Sequence, residues 1–270
     1  MDDFLKTAVC AAKEAGEIIL EGADRLGSLT VEEKSSNDFV SEIDRNAEKK
    51  IRKVLLDTYP DHGIVGEEFG SYNTSNTQYD WVIDPLDGTT NFLRGIPHFA
   101  VSIGLIVDGE IKLGVVYDPL KNELYTAVKG GGAHLNGKAI SVRADGRVEG
   151  GLLATGIPFS GRLLEDSEQF SNAMTNLLNE KTAGIRRLGA AALDLAYVAA
   201  GRYDGFWEAG LKQWDIAAGI VLVQEAGGRV SDFQGKNEYL TSGNIVACTP
   251  TASEKMLSII GEAYKVSQGR

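Results

Sequence analysis

The chain has little of what would place it in several large functional classes. Two cysteines occur in 270 residues, Cys10 and Cys248, each within an apolar stretch. That speaks against a disulfide framework and predicts free, buried thiols in a reducing compartment. Three histidines are present, His62, His98 and His134, without an evident Ser or Cys partner, so they read as structural rather than as part of a nucleophilic triad. No segment has the long uncharged apolar run that a bilayer requires. The N-terminal stretch MDDFLKTAVCAAKEAGEIIL starts acidic and carries spaced charges, unlike the basic and then apolar pattern of a secretory signal. These absences together predict a cytoplasmic protein with no membrane segment. Basic residues are also in deficit, 27 Lys and Arg against 38 Asp and Glu, for a net charge of −11. This balance argues against a nucleic-acid-binding surface. It also means that an anionic substrate would need bound cations to reverse the field locally.

What is present is an ordered change of rhythm. Phe4, Ala8, Ala11, Ala12, Ala15, Ile18 and Ile19 recur at helical spacing, and Ala47, Ile51, Val54 and Leu55 repeat the pattern between Asp44 and Tyr59. From Tyr79 the texture changes to short apolar runs, WVID, FAVSIGLIV, IKLGVVYD and ELYTAV, with turn signals at Asp108-Gly109 and Asn136-Gly137. This predicts an antiparallel meander. Beyond residue 150 the pattern predicts a helix near 164–180, a small-residue helix over Ala190–Ala200, a strand at YDGFWE and a helix starting near Asp215. A strand at NIVACT and a last helix from about Ser253 follow. A change of rhythm near 145–150, in the polar stretch RADGRVEG, marks a candidate boundary between halves 1–147 and 148–270 of one catalytic unit. Layers of helix and mostly antiparallel sheet, an α+β architecture, are the expected outcome.

The densest chemical signal is WVIDPLDGTTNFLRGIP at Trp81–Pro97. Asp84 and Asp87 bracket what reads as a turn fixed by Pro85, so that both carboxylates and the Leu86 carbonyl can converge on one point. Oxygen-only donors suit a hard cation such as magnesium, with manganese fitting the same oxygens. Gly-Thr-Thr-Asn can start a helix whose first amides face a phosphate. The plainer reading makes these turn residues, with Asp87 as a helix N-cap. Glu67-Glu68 after the apolar Ile64-Val65, and Asp215 ahead of IAAGIVLVQEAGG, add acids at the ends of buried elements. Each also has a plain reading, as a solvated strand end and an N-cap. Gly130–Gly132 resembles a phosphate cradle, but without a strand-to-helix context a hairpin turn is the better reading.

WVIDPLDGTTNF and WDIAAGIVLVQEAGG resemble the two signatures of the inositol monophosphatase family, and GEE and DFVSEID match its shorter acidic motifs in the same order. The resemblance runs from about Phe4 to the C-terminal helix. It implies a layered αβαβα sandwich, commonly dimeric, that hydrolyses phosphate monoesters with magnesium and is often inhibited by lithium. Carried over, it assigns Glu67, Asp84 and the Leu86 carbonyl to a first magnesium, Asp84, Asp87 and Asp215 to a second, and a third, weaker ion near Glu67. Thr89 with Asp44 would position the attacking water, with Glu67 among the catalytic groups. Gly88 and Thr89 would hold the phosphate, and Ala191, Glu208 and Asp215 would meet the alcohol, Glu208 also reading as a strand-end acid. The expected substrate is inositol 1-phosphate. Fructose 1,6-bisphosphatase or dual sugar-phosphatase activity is the runner-up, because Arg94 stands where many relatives have His and Arg186-Arg187 precede LGAA. Lys34 is either a surface charge or a neighbour of the third ion. The resemblance also admits a second role, as a binding partner of transcription or RNA-processing machinery.

Overall fold

The structure, a computed structural model, describes residues 1–26, 31–35, 38–73, 78–158 and 163–265, and for 31–35, 38–40 and 163–166 it describes the backbone alone. Lys34 falls among these last, so its side chain lies outside the described residues. Helix α1 (Asp2–Ala23) buries Ala8, Ala11, Ala12, Ala15 and Ile19, the stripe that the spacing predicts, and packs on α2 (Glu42–Thr58). Cys10 is a correction to the expected pair of buried thiols. It lies about 200° round the helix from Ala8, is exposed, and donates its Sγ–H to Glu14 Oε1 at 3.2 Å, whereas Cys248 is buried.

A two-stranded ribbon, β1 (Val31–Ser35) and β2 (Asp38–Ser41), leads into α2. The main sheet holds β3 (Gly63–Gly66), β4 (Gly70–Tyr72), β5 (Tyr79–Asp87), β6 (Ala100–Val107), β7 (Glu110–Asp118), β8 (Glu123–Val128), β9 (Ala133–Leu135) and β10 (Lys138–Ile140), with the short helix α3 (Thr89–Leu93) between β5 and β6. Their order is β10-β9-β8-β7-β6-β5-β3-β4, antiparallel except where β3 runs parallel to β5. Asp108 and Gly109 sit at φ 51° and 77°, closing the β6–β7 hairpin as an Asp-Gly pair should. The second sheet takes β11 (Leu152–Thr155), β12 (Gly184–Arg186), β13 (Gly205–Glu208), β14 (Arg229–Ser231) and β15 (Ile245–Cys248) in the order β12-β11-β13-β15-β14. Helices α4 (Leu163–Asn179), α5 (Ala191–Ala199), α6 (Gln213–Glu225), α7 (Tyr239–Ser242) and α8 (Pro250–Lys265) complete the described chain, α8 starting at a proline, which suits a first helical turn.

Three apolar clusters separate the layers. One fills the space between α1/α2 and the main sheet, one surrounds α5 and α6 between the two sheets, and one lies between the second sheet and α4/α8. The result is an α+β sandwich layered α, β, α, β, α. Strand periodicity divides the main sheet accordingly: Val101, Ile103 and Leu105 belong to the first cluster, while Ser102 and Gly104 face α6.

Small residues set the distance between α6 and the main sheet. Gly104 and Gly114 are cross-strand partners on β6 and β7. A Cβ on Gly104 would stand 3.0 Å from Ala217 Cβ, and one on Gly114 would run into the Ala218 carbonyl. Both glycines therefore permit a helix to lie directly on the strands. Ser102 Oγ adds a bond to the Trp214 carbonyl at 3.1 Å, pinning the start of α6 to β6. Gly114→Ala should destabilise the protein by about 1–3 kcal/mol through overpacking, read as a Tm drop of several degrees in a thermal melt. An unchanged Tm would contradict the close seating of α6.

Candidate active site

Asp84 and Asp87 lie within one strand, not on either side of a turn. Along β5 the register with β6 passes from Asp84↔Ser102 to Asp87↔Ala100, three steps on one strand against two on the other. The strand thus carries a bulge. Residues three apart in a regular strand point to opposite faces, and the extra residue reverses that parity, bringing both carboxylates to the side facing α6. Pro85, which has no N–H to give a ladder, falls in the bulge, where proline is tolerated. The expectation that Pro85 fixes a turn is corrected to this, and the convergence of the two aspartates is retained by a different means.

Asp84 is buried, and its Oδ1 accepts the Leu86 N–H at 2.9 Å. Its carboxyl is held well above the usual carboxylate range, first by burial and then by repulsion from Glu67, Asp87 and Asp215. Asp87 is raised likewise by burial and Asp215, against the Ala192 N–H, which donates to its Oδ2 at 2.7 Å. Asp215 sits in the first turn of α6, its Oδ2 accepting the Lys212 N–H at 2.6 Å. It is therefore the third residue of the helix and not the N-cap, which is Lys212.

Glu67 follows directly on β3, and its N–H donates to the Ile83 carbonyl at 3.3 Å. Its loop is held from α2 by Glu48, which is wholly buried. Glu48 Oε2 accepts the Glu68 N–H at 2.7 Å, and its Oε1 accepts the Phe69 N–H at 3.2 Å and Arg52 Nη1 at 2.8 Å. A Cβ on Gly66 would collide with that carboxylate. One turn earlier on α2, Asp44 completes a capping box with Ser41, and its Oδ1 accepts Thr89 Oγ1 at 2.8 Å. Thr89 Oγ1 also lies 3.0 Å from the Leu86 carbonyl. Burial raises the Asp44 carboxyl in spite of the Ser41 and Thr89 hydroxyls.

These groups border one cleft of about 420 Å³. Glu67, Asp87, Gly88, Thr89, Ala191, Glu208 and Asp215 line it, whereas Asp44, Asp84 and Leu86 are buried. Gly88 has φ 93° and stands against the carbonyls of His98 and Gly189, a position only glycine fills comfortably. Asn91 Nδ2 donates to the carbonyls of His98 at 2.8 Å and Leu188 at 2.7 Å, tying the start of α3 to the segment leading into α5. Glu208, at the end of β13, is pushed up to about 8 by burial and by Asp215, with Arg187 opposing. Of the basic residues noted in the sequence, Arg94 and Arg187 line the cleft.

Among the described residues, no three His, Cys, Asp or Glu side chains have their donors already converged as a metal cage. The donor set nevertheless fits a hard divalent cation: all oxygen, mutually repelling, Asp84 buried and Glu67, Asp87 and Asp215 half-buried at the cleft, with one oxygen of each of Asp84, Asp87 and Asp215 anchored by a backbone amide. Sequence reasoning missed Glu48, although its place one helical turn after Asp44 was a usable signal. It also missed Asp194 on α5, which is buried with its Oδ1 unpartnered and is raised well above the usual range by burial, Glu208 and Asp87. The glycine run at 130–132 is a turn between β8 and β9, and its Gly130 and Gly132 amides donate to the Glu225 carboxylate.

Comparison with known proteins agrees with this layout. The model of the Inositol monophosphatase family matches residues 1–265. A Pseudomonas aeruginosa protein called Nus factor SuhB is 49% identical over 262 residues, 96% of each chain. The crystal structure of extragenic suppressor protein suhB from Bartonella henselae superposes with a TM-score of 0.91 at 42% identity, covering 96% of this chain and 98% of that one. Inositol monophosphatase from Anabaena (Nostoc) sp. PCC 7120 gives a TM-score of 0.82 at 34% identity, covering 98% and 96%. With the family model matched over residues 1–265 and the layered fold shared over nearly the whole length, this chain belongs to the inositol monophosphatase family.

Proposed function

We propose that this family phosphatase hydrolyses inositol 1-phosphate, with magnesium as its metal. The observation that carries the reading is the bulge in β5, which turns Asp84 and Asp87 toward the start of α6 and Asp215. Glu67, Asp84 and the Leu86 carbonyl would hold a first ion, Asp84, Asp87 and Asp215 a second, and a third, weaker one would sit near Glu67. Manganese suits the same oxygens. When bound, magnesium acts as a Lewis acid and offsets the charge that builds on the phosphoryl group in transfer.

The chain's own groups then position the reactants. Thr89 Oγ1 donates to Asp44 Oδ1, which leaves its lone pairs free to accept a hydrogen bond from a water O–H and orient that water's oxygen toward phosphorus. Glu67 stands beside them on the loop that Glu48 holds. The Gly88 and Thr89 amides face the phosphate, and Ala191, Glu208 and Asp215 face the hydroxyls of the alcohol. Since α3 is only five residues long, the individual amides matter here more than a helix dipole. The runner-up reading is a fructose 1,6-bisphosphatase or a dual sugar phosphatase. By family analogy the protein works as a cytoplasmic homodimer inhibited by lithium.

A second reading has its own support in the relatives called Nus factor SuhB. A role beside transcription machinery would run through protein contacts, since a net charge of −11 disfavours direct RNA contact. In a pull-down, partner capture that survives Asp84→Asn supports that role, and capture lost with activity counts against a separate one.

The direct test is phosphate release from inositol 1-phosphate, fructose 1,6-bisphosphate and 3′-phosphoadenosine 5′-phosphate, with magnesium and then with a chelator. Chelator-sensitive release, greatest for inositol 1-phosphate, is expected. Asp87→Asn and Asp215→Asn should each lower it on the order of a hundredfold or more with the fold retained, and near-normal turnover in either would overturn the assignment. Glu48→Gln leaves every proposed ligand in place yet should raise the magnesium needed for half-maximal rate by about tenfold or more. It should also speed amide exchange at Glu68 and Phe69, measured by hydrogen–deuterium exchange.

A further inference from the structure

The outer face of α2 runs against the charge of the molecule. The chain carries 38 acidic and 27 basic residues, yet Arg45, Lys49, Lys50, Arg52 and Lys53 all fall on this one helix. Of its acidic residues, Asp44 and Glu48 are buried, which leaves Glu42 and Asp57 to balance the surface. At roughly 100° per residue, Arg45, Lys49, Arg52, Lys53 and Leu56 share a stripe about 100° wide. Lys50 turns aside from it, toward Glu14 on α1 at 3.2 Å. Phe69 and Tyr72 flank the stripe and are 42% and 46% exposed. Lys49 Nζ and the Arg52 guanidinium lie 5.7 and 5.9 Å from the centre of the Phe69 ring, and Arg52 lies 6.0 Å from that of Tyr72. Lys49, Arg52, Lys53, Leu56 and Phe69 border a shallow hollow of about 540 Å³. Beside it, β4 ends the eight-stranded sheet and among the described residues pairs with β3 alone, with Gly70, Ser71 and Tyr72 all exposed. An edge strand presents backbone N–H and C=O groups to another extended chain. Arg52 Nη1 donates to the Gly70 carbonyl at 3.3 Å, which ties the basic stripe to that edge.

Resting on the partner role above and not on the phosphatase reading, we propose that the outer face of α2 and the edge of β4 form a docking surface for an extended acidic segment of another protein. The segment adds a strand to β4, its carboxylates meet Lys49 and Lys53, and its apolar side chains lie on Phe69 and Tyr72. Lys49 makes no ion pair among the described residues. Lys53 pairs with Asp57 one turn on, at a surface position where such a pair is weak. Both amines are thus available to an incoming carboxylate. A nucleic-acid strand fits less well, because its many phosphates meet the repulsion of a net charge of −11 and it has no amide backbone to pair with a strand edge. A short acidic peptide brings few charges and a full ladder of donors and acceptors. None of these residues lines the acidic cleft, so docking is separable from hydrolysis.

The probe is a dye-labelled synthetic peptide of about six residues that alternates Asp and Val, titrated into the intact protein and followed by fluorescence anisotropy. Three controls accompany it: a Lys-Val peptide of the same length, the Asp-Val peptide with its backbone amides N-methylated, and oligouridylate. The Asp-Val peptide should bind about tenfold or more tightly than each of the three. Lys49→Glu/Lys53→Glu/Tyr72→Ala should weaken it by about tenfold or more with Tm retained. In the intact protein the peptide should slow amide exchange at Ser71 and Tyr72, measured by hydrogen–deuterium exchange. Equal binding of the N-methylated peptide removes the strand pairing and overturns the proposal, as does a triple variant that binds like the intact protein. Tighter binding of oligouridylate assigns the surface to nucleic acid and overturns it too, and so does the absence of any binding. If the triple variant still captures its partner in the pull-down described above, the partner role stands and this surface falls.

Discussion

Several carboxylates gathered around one cleft, with Asp84 buried behind it, are the constraint around which this molecule is arranged. Asp84 and Asp87 are each driven toward the protonated form by burial and by acidic neighbours, and backbone amides offset this only in part. Buried charge of one sign is costly without a counter-charge. A fold that keeps such a cluster must therefore fix it by rigid elements on all sides and must gain from what the cluster binds. The net charge of −11 deepens the need, because it gives no general attraction for a phosphate.

The layers meet that need with small residues and with one irregularity. Gly104 and Gly114 bring α6 down onto the main sheet, Ser102 fastens its first turn, and Asp215 arrives beside the bulged end of β5. Gly219 plays the same part between α6 and α5, where a Cβ would press into Leu195. Asn91 then joins the β5 end of the cleft to the α5 end through two carbonyls, and Glu48 fixes the loop that carries Glu67. The acidic groups thus come from β5, from α6 and from the loop after β3, and the cleft lies where those elements meet.

Much of this was legible in the sequence, because it follows from periodicity. The alanine stripe of α1, the four-strand meander and its Asp-Gly turn are local patterns, and the structure repeats them. The αβαβα layering came through the family resemblance and matches the observed order. What was not legible depends on partners distant in the chain. The bulge is a register between β5 and β6, so Asp-Pro-Leu-Asp read as a turn when it is a strand with one extra residue. Cys10 looked buried because its neighbours are apolar, yet the helix turns it outward. Glu48 drew no reading from the sequence, because the loop it holds lies twenty residues further along the chain. Only folding brings Arg94 and Arg187, far apart in sequence, to one cleft.

The central claim is that the acidic cluster is unfavourable on its own and is stabilised by a divalent cation. Thermal melts of the intact protein and of Asp84→Asn, in chelator and in excess magnesium, test it most directly. Asn keeps the Oδ1 acceptor for the Leu86 amide and removes one buried charge. The account predicts that Asp84→Asn melts higher than the intact protein in chelator, and that magnesium raises the Tm of the intact protein but has little effect on the variant. A variant that melts lower in chelator and still gains as much from magnesium would contradict it.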